Sequence, residues 1–233
     1  MTEEAQKLKK LVCSLRQLIR ESALSAETIL EKRKELENIH SKYKFDEKAY
    51  PDLKLNGKSP FTGDVQVDKN EPPRSLAEFF IWKQGAWKKY QTLRNYFSSA
   101  GVEICDDKIR DKKYIVHAAF AKHLMDPREN PIFDQHALRA LWAIDPGIAP
   151  EEHGVIAHFL FKKPDSDEEQ WKANGSGESA GKCYTIFKRR IGKISNKNKV
   201  SHGELDKLLM PLGRALKNLT ETRREFESLS GRR

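Results

Sequence analysis

Apolar residues return at seven-residue intervals through the opening of this chain: Leu8, Leu15, Ile29, Leu36 and Tyr43, with Ser22 in the one polar place. A second row, Leu11, Leu18, Ser25, Lys32 and Ile39, runs beside the first. Such spacing winds a chain as helix with one apolar face. The seam is apolar at both ends and polar in the middle, around "ESALSAE". Two antiparallel helices broken there fit as well as one coiled coil. These helices either pack on the body of the same chain or pair two copies, a homodimer through residues 1–43.

Residues 44–74 hold most of the turn formers, Pro51, Gly57, Pro60, Gly63, Pro72 and Pro73, and read as a linker or loop region. A second helical body is expected over 75–233. It begins with Ser75 placed to cap against Glu78 and includes a flexible polar loop at 163–181. Within it, "PEEHGVIAHFLFKK", "KCYTIFKRRIGKI" and "HGELDKLLMPLGRALKNL" read as helices, the last kinked at Pro211. "TETRREFESLSGRR" reads as a charged tail. Strand alternation is almost absent, so the predicted class is all-α.

Net charge is +9 with a pI of about 9.3, which favours polyanionic partners. Cys13, Cys105 and Cys183 are far apart and lack paired spacing. That argues against a zinc site or a disulfide framework and for a reducing compartment. No signal-peptide pattern and no membrane-length apolar run are found, so a cytoplasmic protein without membrane contact is expected. No cofactor or metal is called for.

The stretch "ENPIFDQHALRALW", residues 129–142, speaks to chemistry. Asp134 stands where a helix N-cap belongs. A carboxylate at a helix N-terminus is also held ionised and able to stabilise a developing cation. His136 and Arg139 follow on the first turns, either as a solvated face or as phosphate contacts. Upstream, Ile109, Val116, Phe120 and Leu124 share one helical stripe with Lys113 and His117. A lysine there either snorkels to water or presents an amine whose pKa burial has lowered.

The order of a lysine-bearing helix followed by "FDQHALR" resembles the helix–hairpin–helix DNA glycosylase superfamily. There, a catalytic aspartate opens a helix within a V-D-T-H-V-x-R segment. The resemblance covers residues 106–147 best, and residues 75–220 in helical layout. It implies an all-α, multi-helix glycosylase-like body carrying an added N-terminal helical hairpin or coiled coil. It also implies Asp134 as the catalytic carboxylate, His136 and Arg139 at the family's histidine and basic positions, and Lys113 as the catalytic lysine. Lys113 lies 21 residues upstream of Asp134, and Lys112 is the rival alignment. Of the family's glycine-rich hairpin only Gly101 remains. Phe79, Phe80, Trp82, Trp87 and His117 become candidates for the wall of a base pocket, with burial in the core as the alternative. The implied activity is excision of a damaged or modified base from DNA, with or without lyase chemistry, in repair or in defence against phage.

The densest basic run carries Lys188, Arg189, Arg190, Lys193, Lys197 and Lys199. It is expected either to track a DNA backbone or to form a solvated face. Two non-enzymatic readings stand beside the glycosylase: a non-catalytic nucleic-acid-binding protein, and a helical interaction protein working through residues 1–43.

Overall fold

In a computed structural model of the chain, the described residues are 2–44, 115–116, 119, 122–123, 129–161 and 177–231. The described residues form seven α-helices: α1 (Glu3–Glu21), α2 (Ala26–Ile39), α3 (Gln135–Ile144), α4 (Pro150–Phe161), α5 (Gly177–Asn198), α6 (His202–Leu219) and α7 (Arg223–Ser230). A short 3-10 turn, Ser41–Tyr43, follows α2. Residues 115–116, 119 and 122–123 are also helical. The all-α class read from the sequence holds. The proline-rich linker, the Ser75–Glu78 capping box and residues 163–176 of the polar loop expected at 163–181 lie outside the described residues; residues 177–181 are not loop but the first turn of α5.

The polar gap in the heptad seam is a turn. Ser22 adopts a left-handed conformation (φ 60°) and ends α1. Ser25 then opens α2 with a capping box to Thr28. The apolar positions on either side, Leu8, Leu11, Leu15, Ile29, Leu36 and Tyr43, are all buried within this single chain. Helices α1 and α2 pack against each other; α2 also meets α6, and α1 meets α3 and α7. Polar ties fix these contacts. Arg16 donates to the carbonyl oxygens of Ala143 at 2.5 Å and Gly231 at 3.2 Å, and also to that of Ser230. A cation thereby sits at the carbonyl ends of α3 and α7 together, where the helix dipoles favour it. Lys197 of α5 does the same for α1, donating to the Arg20 carbonyl at 3.0 Å. Leu24 N–H donates to Asn198 Oδ1 at 3.0 Å.

Helix α3 is the axis of the fold. Eight of its ten residues are buried, and α1, α4, α5, α6 and α7 all contact it. Its closest neighbour is α6, and Gly213 is the reason. A Cβ built at Gly213 would lie 2.0 Å from the His136 carbonyl oxygen. Only a residue without a side chain lets the two backbones approach so nearly. Around that crossing, Leu205, Leu208, Leu209, Leu212 and Leu216 fill the core. Helix α6 runs through Pro211 as one element.

The charged C-terminal stretch is not a tail. Thr222 and Glu225 form a capping box and start α7. Phe226 and Leu229, three residues apart, fall on one face and are buried. Phe226 stacks on Trp142 of α3, centroid to centroid 4.6 Å. Two apolar residues at helical spacing outweigh a polar composition, because burying a phenylalanine side chain alone stabilises by about 1.5–3 kcal/mol.

Among the described residues no helix is long and apolar enough to cross a membrane.

Two glycines give opposite predictions. Gly213→Ala forces α6 away from α3 and should cost about 1–3 kcal/mol. Gly192, inside α5, has open space around it, with nothing within 4 Å of where an alanine methyl would stand. Gly192→Ala should gain roughly 0.5–1 kcal/mol in helix propensity. Urea unfolding midpoints of the two variants should move in opposite directions from wild type.

Candidate functional site

The chain enters α3 through "NPIFD". Asp206 of α6, itself buried, accepts the Ile132 N–H at 3.1 Å and holds this entry in place. Phe133 is fully buried against Phe159, Tyr184 and Phe187, with the last two rings edge-on at 5.4 Å. An anchored residue just before the cap sets the direction in which the helix starts. Asp134 follows in extended conformation as the N-cap. Its Oδ1 accepts the His136 N–H at 2.7 Å and the Ala137 N–H at 2.8 Å. Oδ2 accepts no hydrogen bond from the described residues, and the side chain is half-buried. The expected N-cap is therefore present, with one oxygen fixed by the helix and the other open.

His136 is half-buried beside α6, and its Nδ1 has no hydrogen-bond partner among the described residues. Burial pushes the imidazole below its ordinary value. The Asp134 carboxylate and a backbone hydrogen bond with Gly213 oppose the shift, while Lys217 and Arg139 add to it. The ring is neutral at physiological pH.

Arg139 does not lie on a solvated face. It is 3% exposed. Its Nη2 reaches the Leu160 carbonyl at the end of α4, at 3.5 Å, and its guanidinium carbon lies 5.2 Å from the Phe161 ring centre. Nε and Nη1 have no partner among the described residues. Burial lowers its pKa to about 10, with Asp134 acting in the opposite direction, so the group stays cationic. A surface phosphate contact is not what this geometry offers. The physical reason is that α3 is apolar nearly all round, and a helix of that kind is buried on every side. The flanking run Ala137, Leu138, Ala140, Leu141, Trp142, Ala143 and Ile144 carried that signal.

Trp142, one turn beyond Arg139, was not singled out from the sequence as a site residue. It is fully buried, and its indole nitrogen also has no partner among the described residues. It packs on Phe161 at 6.1 Å and on His153 at 5.9 Å.

In the basic run on α5, Arg189 and Arg190 pair with carboxylates of the same chain, while Lys193, Lys197 and Lys199 are exposed. Arg190 is a correction to the expected nucleic-acid contact. Its side chain is 13% exposed and grips Asp145, 2% exposed, through Nε to Oδ2 at 2.5 Å and Nη2 to Oδ1 at 2.8 Å. The Asp145 hydrogen bonds raise the Arg190 pKa above its ordinary value, against burial. Asp145 is the C-cap of α3 and also accepts the Gly147 N–H at 2.9 Å. Gly147 leaves room for the guanidinium, since a Cβ there would meet Arg190 Nη2 at 2.0 Å. Arg189 pairs with Glu152, whose other oxygen accepts the Ala149 N–H at 2.9 Å and caps the start of α4. Lys188 is half-buried, and Lys193 is exposed on the same helix. Lys113, with its rival Lys112, and His117, Phe79, Phe80, Trp82 and Trp87 lie outside the described residues. The structure thus brings Asp134, His136 and Arg139 together on one helix, and it turns the arginines of α5 toward carboxylates of the same chain.

Among the described residues no three His, Cys, Asp or Glu side chains gather as a metal site requires.

No family model matches the chain, no curated protein matches it, and no solved structure matches its fold.

Two outcomes follow from this geometry. Removing the carboxylate in Asp145→Ala strands a largely buried guanidinium and should cost about 3–5 kcal/mol in chemical denaturation. His136 takes a proton in the unfolded chain at pH values where the native ring remains neutral. Its contribution is therefore full above about pH 6.5 and is lost as the pH falls below that value. Thermal melts at roughly pH 7.5 and pH 5.5 should show this loss, and His136→Gln should make it smaller.

Proposed function

We propose that the protein is a DNA glycosylase-like enzyme that removes a damaged or modified base, with Asp134 as its catalytic carboxylate. The observation that carries this reading is the Asp134 side chain. Two helix N–H groups hold one oxygen, and the second oxygen is open at a half-buried position. A rigid, pre-oriented carboxylate is what cleavage of an N-glycosidic bond needs. As the bond from C1′ to the base nitrogen breaks, its electron pair leaves with the base and positive charge grows on the sugar. A fixed anion stabilises that charge without reorganising. Water then adds at C1′, and its proton passes to the departing base. The base must first leave the stack for a pocket. In the lyase variant of the chemistry, Lys113 takes the place of water. The net charge of +9 supports a polyanionic substrate. Cys13 and Cys183 are both free thiols, in keeping with work in a reducing cytoplasm.

The experiment is incubation of the protein with DNA carrying varied lesions and phage-type modified bases, followed by alkali to cut abasic sites. Asp134→Asn preserves the cap, since asparagine caps as well as aspartate, and should leave the melting temperature near wild type. Excision should fall by at least about 100-fold. Product formation unchanged in Asp134→Asn would falsify the assignment. DNA binding by wild type with no abasic product from any substrate points instead to the non-catalytic binding protein.

A further inference from the structure

The interior beside Phe161 holds donors without acceptors among the described residues. Arg139 Nε and Nη1 and Trp142 Nε1 are all buried and unpartnered there. Arg139 lies 5.2 Å from the centre of the Phe161 ring and Trp142 lies 6.1 Å from it. Among the described residues the one acceptor Arg139 reaches is the Leu160 carbonyl, at a long 3.5 Å. Asp134 acts on Arg139 only through space and makes no ion pair with it. Buried N–H groups left unpaired are costly, and a buried charge without a partner is more so. The neighbouring cations show the contrast: Arg190 and Arg189 each hold a carboxylate, and Lys197 a helix end.

We propose that Arg139 and Trp142, against Phe161, form an internal receptor for a phosphate group. The unpaired donors lie on two side chains and on different nitrogens of one guanidinium. A tetrahedral anion presents acceptor oxygens out of a single plane, whereas a carboxylate offers two within one. With Arg139 3% exposed, a free phosphate or a phosphate at a chain end fits better than the internal phosphates of an intact duplex. This receptor does not depend on base excision or on Asp134.

The test is thermal melting in roughly millimolar inorganic phosphate against chloride of equal ionic strength. Wild type should gain roughly 2–4 °C. Arg139→Met, which fills similar volume without charge, should gain nothing. Asp134→Asn should keep the gain, so failure of the excision reading and failure of this one are told apart. A short oligonucleotide bearing a 5′-phosphate that raises the melting temperature more than its 5′-hydroxyl counterpart identifies a chain end as the source; equal effects identify free phosphate. No gain in wild type, or the same gain in Arg139→Met, overturns the proposal. If Arg139→Met does not fold, Arg139→Lys keeps the charge but loses the planar donor set. A reduced response in that variant supports the receptor, and an undiminished one overturns it.

Discussion

The architecture depends on one close approach. Helix α6 meets α3 backbone to backbone at Gly213 and His136, nearer than any side chain would allow. That proximity seats the leucines of α6 around α3 and brings Asp206 within reach of the Ile132 N–H. The entry to α3 is then held by a hydrogen bond on one side and by buried Phe133 on the other. The direction of the Asp134 carboxylate is a consequence of this packing, because a cap points where its helix starts. Native interiors are close-packed, so a shift at the crossing would propagate to the cap.

A second theme is the use of cations inside a basic protein. Arg16 closes the carbonyl ends of α3 and α7, Lys197 that of α1, Arg190 the cap of α3, and Arg189 the first turn of α4. In each case a positive side chain meets a carboxylate or the negative end of a helix dipole, and the pairing offsets part of the desolvation. Arg139 departs from this pattern. It is the most deeply buried of these cations, and its nitrogens are the least satisfied among the described residues.

Helices were largely legible from residue spacing. The seven-residue seam located α1 and α2, and its two serines marked the turn between them, since a polar residue in an apolar seam is tolerated where the chain leaves the interface. Asp134 was legible as a cap because an aspartate directly before an apolar helical run has few other uses. Helix α7 was not legible. Its arginines and glutamates dominate the composition, and only Phe226 and Leu229 betray a buried face. The fate of the α5 basic run was hidden for a related reason. A dense run on a helix points in every direction, and the positions of Asp145 and Glu152 decide which members turn inward.

By itself, the order of residues determined the helical class, the break between the first two helices and the cap at Asp134. These are set by local spacing and by side chains bonding to nearby backbone. Only the tertiary structure decided that α3 is the centre, that Arg190 is held by Asp145, and that Arg139 and Trp142 bury nitrogens left unpartnered among the described residues. Those facts depend on groups far apart in the chain, and spacing along a sequence carries no information about which distant group will arrive to neutralise a charge.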